Sequence, residues 1–296
     1  FYSTVSLDEL PFPDWESYTK VYPLRNNFFS LNEKIAIPLL GTRGCPYSCF
    51  NYCTYPLQQG RKVRARSVEN IIQEIKYWQK TLGTNKFVFR DPVFSINRKH
   101  TIHFCEEVIR QKLNITFMVE THLNNLDDEM IKLLANAGLE LVYVGIESAS
   151  HVVLKDMQRF TIEHDEQYKI IKKCEEMGIK VKTMFIIGNP EDTEQSVIET
   201  IKYSKHLPSL YSQYSIFTPY PGTPIYADYK DLIYEKKLEN FDQYQLTFKH
   251  NHLSESKIEE LKSKAYFDFY FNFSKILETL KYLILSKYGK KIKRLG

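Results

Sequence analysis

Between residues 34 and 230 the chain alternates short apolar runs with amphipathic segments, six times, at roughly 30–40-residue spacing. No other feature constrains the fold as much. The runs 34–40, 86–89, 115–120, 139–146, 180–187 and 211–217 are rich in β-branched and aromatic residues. Strands covered on both faces have that composition. The segments between them carry helix signals. Ser67 is placed to cap a helix over 68–82, whose Ile71, Ile72, Ile75 and Trp78 fall on one face. Asp127 opens another that Gly138 closes, and Gly178 closes a third over 164–177. Further helices are expected over 101–112, 150–157 and 193–207. Alternation of this kind gives an α/β fold with a parallel sheet, and six units are too few to close an eight-stranded barrel. The expectation is a partial (βα)6 TIM-type barrel over 34–230. Residues 1–33, with prolines at 11, 13 and 23, read as a linker. Residues 231–296 read as an α-helical, aromatic-rich C-terminal extension. It contains Tyr266, Phe267, Phe269, Tyr270, Phe271 and Phe273, and is expected to pack on or near the barrel, as a lid or substrate wall.

In parallel α/β architectures chemistry gathers at the carboxyl ends of the strands. Polar punctuation lands at every one of those ends here. Strand one is followed by Gly44-Cys45-Pro46-Tyr47-Ser48-Cys49-Phe50-Asn51-Tyr52-Cys53, strand two by Asp91, strand three ends in Glu120 and strand four is followed by Glu147. Strand five leads to Gly188, and strand six to a proline-rich turn at 218–224. Three of the five cysteines fall within nine residues. A structural zinc site needs a fourth Cys or His at short spacing, usually as a second pair. No such pair exists; Cys105 and Cys174 lie inside predicted helices, and nothing in the spacing of His100 and His103 requires them as ligands. An odd, clustered cysteine set also argues against a secreted disulfide framework and for a reducing, cytoplasmic setting. The net charge of +4 is too mild for a nucleic-acid footprint, and no apolar run is long enough to span a bilayer. The basic run Arg61, Lys62, Arg64, Arg66 reads as a solvated face, and the tail 287–294 as a solvated end. The first residue is Phe1 rather than Met, so the chain is expected to be a piece of a longer one.

Taken together, these residues resemble the radical S-adenosylmethionine enzymes. GCPYSCFNYC at 44–53 resembles their cluster loop. GIES at 145–148, Arg159, FIIGNPEDT at 185–193 and TPYPGTPIY at 218–226 resemble the subgroup that carries an N-terminal cobalamin-binding domain. LDELPFPDW at 7–15 resembles the linker after that domain. The resemblance implies a [4Fe–4S] cluster on Cys45, Cys49 and Cys53, with S-adenosylmethionine on the open iron. It implies Tyr52 against the adenine, and Asp91 or nearby carbonyls for the methionine amine. Glu120 and Glu147 would sit by the ribose, Arg159 by the methionine carboxylate, and Ile186, Ile187 and Gly188 along the adenine. Reductive cleavage to a 5′-deoxyadenosyl radical would then modify a small-molecule substrate. An electron donor such as flavodoxin or ferredoxin and, from the subgroup alone, cobalamin and methylation are implied as well.

The spacing departs from the family at one point. The usual pattern is C-x3-C-x2-C, whereas Cys49 and Cys53 are separated by three residues. Either the loop absorbs the extra residue and still delivers three thiolates, or the third thiolate misses. The first reading is preferred, because the other rim motifs are retained. The second leads to the alternative function, a non-catalytic metal-binding or scaffold protein.

Overall fold

A computed structural model describes residues 6–21, 36–272 and 275–277. In chain order its elements are α1 (Trp15–Val21), β1 (Ala36–Leu39), β2 (Thr42–Arg43), α2 (Tyr55–Gln59), β3 (Arg64–Ala65), α3 (Val68–Leu82), β4 (Lys86–Phe89) and α4 (Arg98–Arg110). There follow β5 (Thr116–Thr121), α5 (Asp128–Ala137), β6 (Leu139–Glu147), α6 (His151–Asp156), α7 (His164–Glu176) and β7 (Lys180–Ile187). The chain continues through α8 (Glu194–His206), β8 (Tyr211–Ile216), α9 (Pro224–Tyr229) and α10 (Glu255–Tyr270).

Six strands form one sheet in the order β1-β4-β5-β6-β7-β8, and every neighbouring pair is parallel. Order in space therefore follows order in the chain, as successive βα units require. Among the described residues β1 and β8 do not pair, so the barrel is open, as the count of six units predicts. The small hairpin of β2 and β3 stands apart from the sheet and brackets the cysteine loop.

Local chemistry explains the boundaries. Ser67 caps α3 by accepting from the Asn70 amide, and Gly83 ends it in the left-handed region. Asp127 and Gly138 do the same for α5, and Thr193 with Ser196 forms a reciprocal cap on α8. On the strands burial alternates, with one break at Glu140 and Leu141 of β6. Phe87, Phe89, Phe117, Val119, Val142, Val144, Val181, Phe185 and Ile187 point out beneath the helices and build the core. The alternate residues face the barrel interior.

The segment 6–21, read as a linker, packs against the barrel, and one expectation is revised at the C-terminal helix. The Asp8 carboxylate accepts from the Ser67 amide at 2.8 Å, and Phe12 packs under the Arg66 guanidinium and against Tyr77, so the segment lies on α3. The aromatic helix α10 is neither lid nor substrate wall. It packs on β8 and α8 at the sheet edge. The Tyr266 hydroxyl accepts from the Tyr214 amide and donates to the Tyr214 carbonyl. One turn later the Tyr270 hydroxyl does the same for Ser212. Two phenols thus take the backbone bonds that a further strand would have made. The tail 287–294 lies outside the described residues. Among the described residues no helix is long and apolar enough to cross a membrane.

Candidate active site

A cavity of about 500 Å³ opens at the carboxyl ends of the strands. Cys45, Cys49, Tyr52, Cys53, Glu120, Glu147, Arg159 and Ile186 all line it. The sheet thus gathers onto one surface residues spread over more than a hundred positions.

The cysteine loop carries its longer spacing in a short helical turn. A 3-10 turn over Ser48–Asn51 follows Tyr47, and the Cys53 amide donates to the Cys49 carbonyl at 3.1 Å, a bond between residues four apart. Residues four apart on such a turn share a face. The extra residue is therefore taken up in a helical turn that sets the Cys49 thiol beside that of Cys53. That contact lowers the Cys49 thiol, against burial, with Arg159 adding to the pull. The Cys53 thiol is driven up by the same contact and by burial. Among the described residues no three His, Cys, Asp or Glu side chains converge where a single ion could sit. Three thiols arranged around one cavity suit a cluster in which each thiolate takes its own iron, better than four ligands on one zinc.

Arg159 follows a short turn after α6 and is nine-tenths buried. Its Nη2 donates to the Gly145 carbonyl at 2.9 Å and lies 3.4 Å from Glu147 Oε1, while Nη1 is 4.0 Å from Cys49 Sγ. Its Nε is buried with no partner among the described residues. A fixed guanidinium with an unused donor beside the thiols fits a carboxylate-bearing ligand such as methionine. Burial pushes the Glu147 carboxyl up against the pull of Arg159. Backbone geometry brings the two together. Glu147 has φ 68°, and the β6–β7 register shifts between Gly145 and Glu147. A Cβ on Gly145 would meet Glu147 Oε1 at 2.3 Å, so only glycine lets the carboxylate fold back here. Ser150, not Glu147, caps the next helix.

Glu120 ends the inner face of β5 and accepts from the Tyr55 hydroxyl at 3.2 Å. Burial raises its carboxyl to about 7. A carboxyl raised in the folded state contributes stability that is full below its ordinary value of 4.5 and lost as pH climbs through about 7. Glu120→Gln is therefore expected to leave the ligand-free protein's melting temperature unchanged at pH 4. It should raise that temperature by about 2–5 °C at pH 8. Paired thermal melts across that range check the prediction; equal shifts at both ends would refute it.

Three of the expected contacts, Asp91, Ile187 and Gly188, are placed elsewhere. Asp91 follows Arg90 by one residue, so its side chain takes the opposite face. It is 1% exposed and accepts from the Gly41 and Thr42 amides and the Thr42 hydroxyl at 2.6–2.8 Å. It holds the approach to the cysteine loop and does not line the cavity. Gly188 sits at φ 78° beneath Ile258 of α10, and its amide donates to Asp192. Ile187 is likewise in the core, leaving Ile186 as the cavity wall. The basic run is a solvated face only at Arg61 and Lys62, which are exposed. Arg66 pairs with the buried Glu74, while Arg61 and Arg64 donate to the Pro46 and Gln59 carbonyls around the loop. Cys105 and Cys174 are core residues, and His100 contacts the Arg66 carbonyl.

Sequence reasoning passed over several lining residues: Tyr55, Tyr143, Gln213, Ser215 and Gln243. Stepping by two back along β6 from Gly145 would have found Tyr143, and along β8 Gln213 and Ser215. Gln243 comes from an irregular segment and left no signal.

A family model described as the Radical SAM superfamily matches residues 39–204. The chain is 29% identical over 267 residues to an uncharacterized methyltransferase of Pyrococcus horikoshii, covering 90% of this chain and 56% of that protein. It is 28% identical over 241 residues to the bacteriochlorophyllide d C-12(1)-methyltransferase of Chlorobaculum tepidum, covering 78% of this chain and 52% of that one. The chain thus spans about half the length of these curated relatives. Among solved structures it is similar to the radical S-adenosylmethionine methyltransferase TsrM of Kitasatospora setae, solved with cobalamin and a [4Fe–4S] cluster bound. The TM-score is 0.62 at 20% identity, over 67% of this chain and 40% of that one, a likeness of fold.

Proposed function

The chain belongs to the radical S-adenosylmethionine superfamily, and from that premise we propose that its cavity reductively cleaves S-adenosylmethionine to modify a small molecule, by cobalamin-dependent methylation. The observation that carries the reading is the meeting of three thiols with the Arg159–Glu147 pair on one wall. A [4Fe–4S] cluster with S-adenosylmethionine supplies one-electron cleavage of the C5′–S bond when bound. The chain's own residues bind, orient and exclude water.

Cys45, Cys49 and Cys53 hold the cluster. The unused Nε of Arg159 supports its role on the methionine carboxylate, with Glu147 fixing the guanidinium. Glu120, oriented by Tyr55, takes the ribose hydroxyls. Tyr52 and Ile186 flank the adenine. The amine is left to backbone carbonyls near the end of β4, since Asp91 is committed to Gly41 and Thr42. The methylation part rests on the relatives' names and on the subgroup motifs. A flavodoxin- or ferredoxin-type donor in the cytoplasm fits the electron demand. The scaffold alternative drew on the longer cysteine spacing, which the helical turn absorbs.

The test uses anaerobically reconstituted protein with dithionite and S-adenosylmethionine. Equimolar 5′-deoxyadenosine and methionine are expected. Zinc in place of iron, with no cleavage, would sink the proposal.

A further inference from the structure

The inner wall of the barrel carries two cations that the reading above leaves without a task. Arg90 follows β4, lines the cavity and is exposed to it. Its guanidinium makes no hydrogen bond or ion pair with any described residue. Lys182 lies on β7 two residues before Met184, which lines the cavity, so both share the inward face. Its ammonium is half-buried and sits over the Tyr143 ring, 5.3 Å from the centroid. It too makes no hydrogen bond or ion pair with any described residue. Burial depresses its basicity.

Register brings these groups together. Glu120 is the partner of Tyr143, and Tyr143 the partner of Lys182. Val88 pairs with Met118, so Arg90 and Glu120, each two residues on, stand at the same level. One row therefore reads Arg90, Glu120, Tyr143, Lys182 across four adjacent strands. Glu120 and Tyr143 stand between the cations, and both line the cavity. The Tyr143 hydroxyl makes only a 4.0 Å contact with Met118 Sδ.

Lys182 lies below the residues that line the cavity, and the cavity's other ionic groups are accounted for. Arg159 and Glu147 pair with each other, and Glu120 accepts from Tyr55 while the Arg90 charge acts on it at longer range. A half-buried lysine without a counter-charge is costly unless a ligand supplies one. We propose that the substrate carries an oxyanion group, carboxylate or phosphate, held inside the barrel by Lys182 and Tyr143 from below and by Arg90 from the rim. The assignment deepens the proposed function and rests on it, because it takes the barrel interior as the substrate's place. Arg90 supplies a planar fork at the upper end and Lys182 a point charge at the lower. Tyr143 offers a hydroxyl donor between them. An oxyanion anchored there leaves the rest of the molecule directed up toward the thiol-lined mouth.

The experiment uses the reconstituted chain and four probes at constant ionic strength: inorganic phosphate, pyrophosphate, glutarate and the neutral polyol erythritol. Thermal shift and calorimetry are run on wild type, Lys182→Met, Lys182→Arg and Arg90→Gln. Saturable binding of at least one oxyanion to wild type is expected, with erythritol inert. Affinity should fall at least about tenfold in Lys182→Met and in Arg90→Gln, as lost charge-assisted contacts imply. Lys182→Arg should keep most of it, which separates loss of charge from loss of fold. Preference for pyrophosphate identifies a phosphate ester, and preference for glutarate a carboxylate. No saturable binding, or equal binding by wild type and both charge-removing variants, overturns the proposal. 5′-Deoxyadenosine formation by wild type is measured in parallel. Cleavage without oxyanion binding defeats the subsite alone, and oxyanion binding without cleavage defeats the radical reading alone.

Discussion

Cys53→Ala is expected to cut reconstituted iron well below about four atoms per chain and 5′-deoxyadenosine formation to background. The loss should exceed the 10–100-fold, roughly, that follows from disturbing groups outside a metal's ligand shell. Cys53 is the residue displaced by the longer spacing, so it is the sharpest test of whether the loop still works. The helical turn from Cys49 to Cys53 puts both sulfurs on one side of the loop. Cys105→Ala is the matched control. Its thiol is buried in the core, and burial raises it to about 12. That variant should lose some stability and no iron. Iron and sulfide assays with product quantification on both variants decide the matter. Equal iron in Cys53→Ala and wild type would mean that the third thiolate lies outside the site.

The second large effect is expected at Arg159. Arg159→Met removes the counter-charge of Glu147 and leaves a buried carboxylate facing the Gly145 carbonyl. Removing one partner of a buried pair costs about 3–5 kcal/mol. The carboxyl of Glu147, already pushed up by burial, climbs further once the cation is gone. Its folded-state value then lies well above the unfolded one. Stability is full below the unfolded value and drains away as pH rises through the folded one. The variant should therefore be least stable in alkaline buffer and recover on acidification. Arg159→Met with Glu147→Gln should regain most of the stability at pH 8 and none of the S-adenosylmethionine cleavage. Denaturant titrations at two pH values, beside product assays, check both halves. A double variant no more stable than Arg159→Met would show that the guanidinium acts through packing alone.

Much of the scaffold was legible because its boundaries are chemical. Val68–Leu82 is bounded by a serine that caps and a glycine in the left-handed region, and the structure stops the helix at those residues. Lys86–Phe89 and Lys180–Ile187 are apolar runs between turn signals and match the observed strands. The hairpin of β2 and β3 was not legible, since two residues per strand carry no period. The site was legible as strand ends and less so as directions. Arg90 and Asp91 are neighbours, yet parity sends one into the barrel and the other to the loop behind it. Gly188 would face inward by parity, but its positive φ breaks the strand and turns the chain under α10. Position along a strand is written in hydrophobicity. Which of two adjacent polar residues faces the ligand depends on where the strand ends, and that is settled by tertiary bonds.

The phenols of α10 reach beyond packing. An open parallel sheet with bare amides and carbonyls along β8 is a template for another chain's strand. Tyr266 and Tyr270 occupy the bonding groups of Ser212 and Tyr214 that a foreign strand would need. An open six-stranded barrel in this way keeps one border of its lateral opening from pairing with another strand. At the β8 edge the sheet is closed to a further strand by two side chains one helical turn apart.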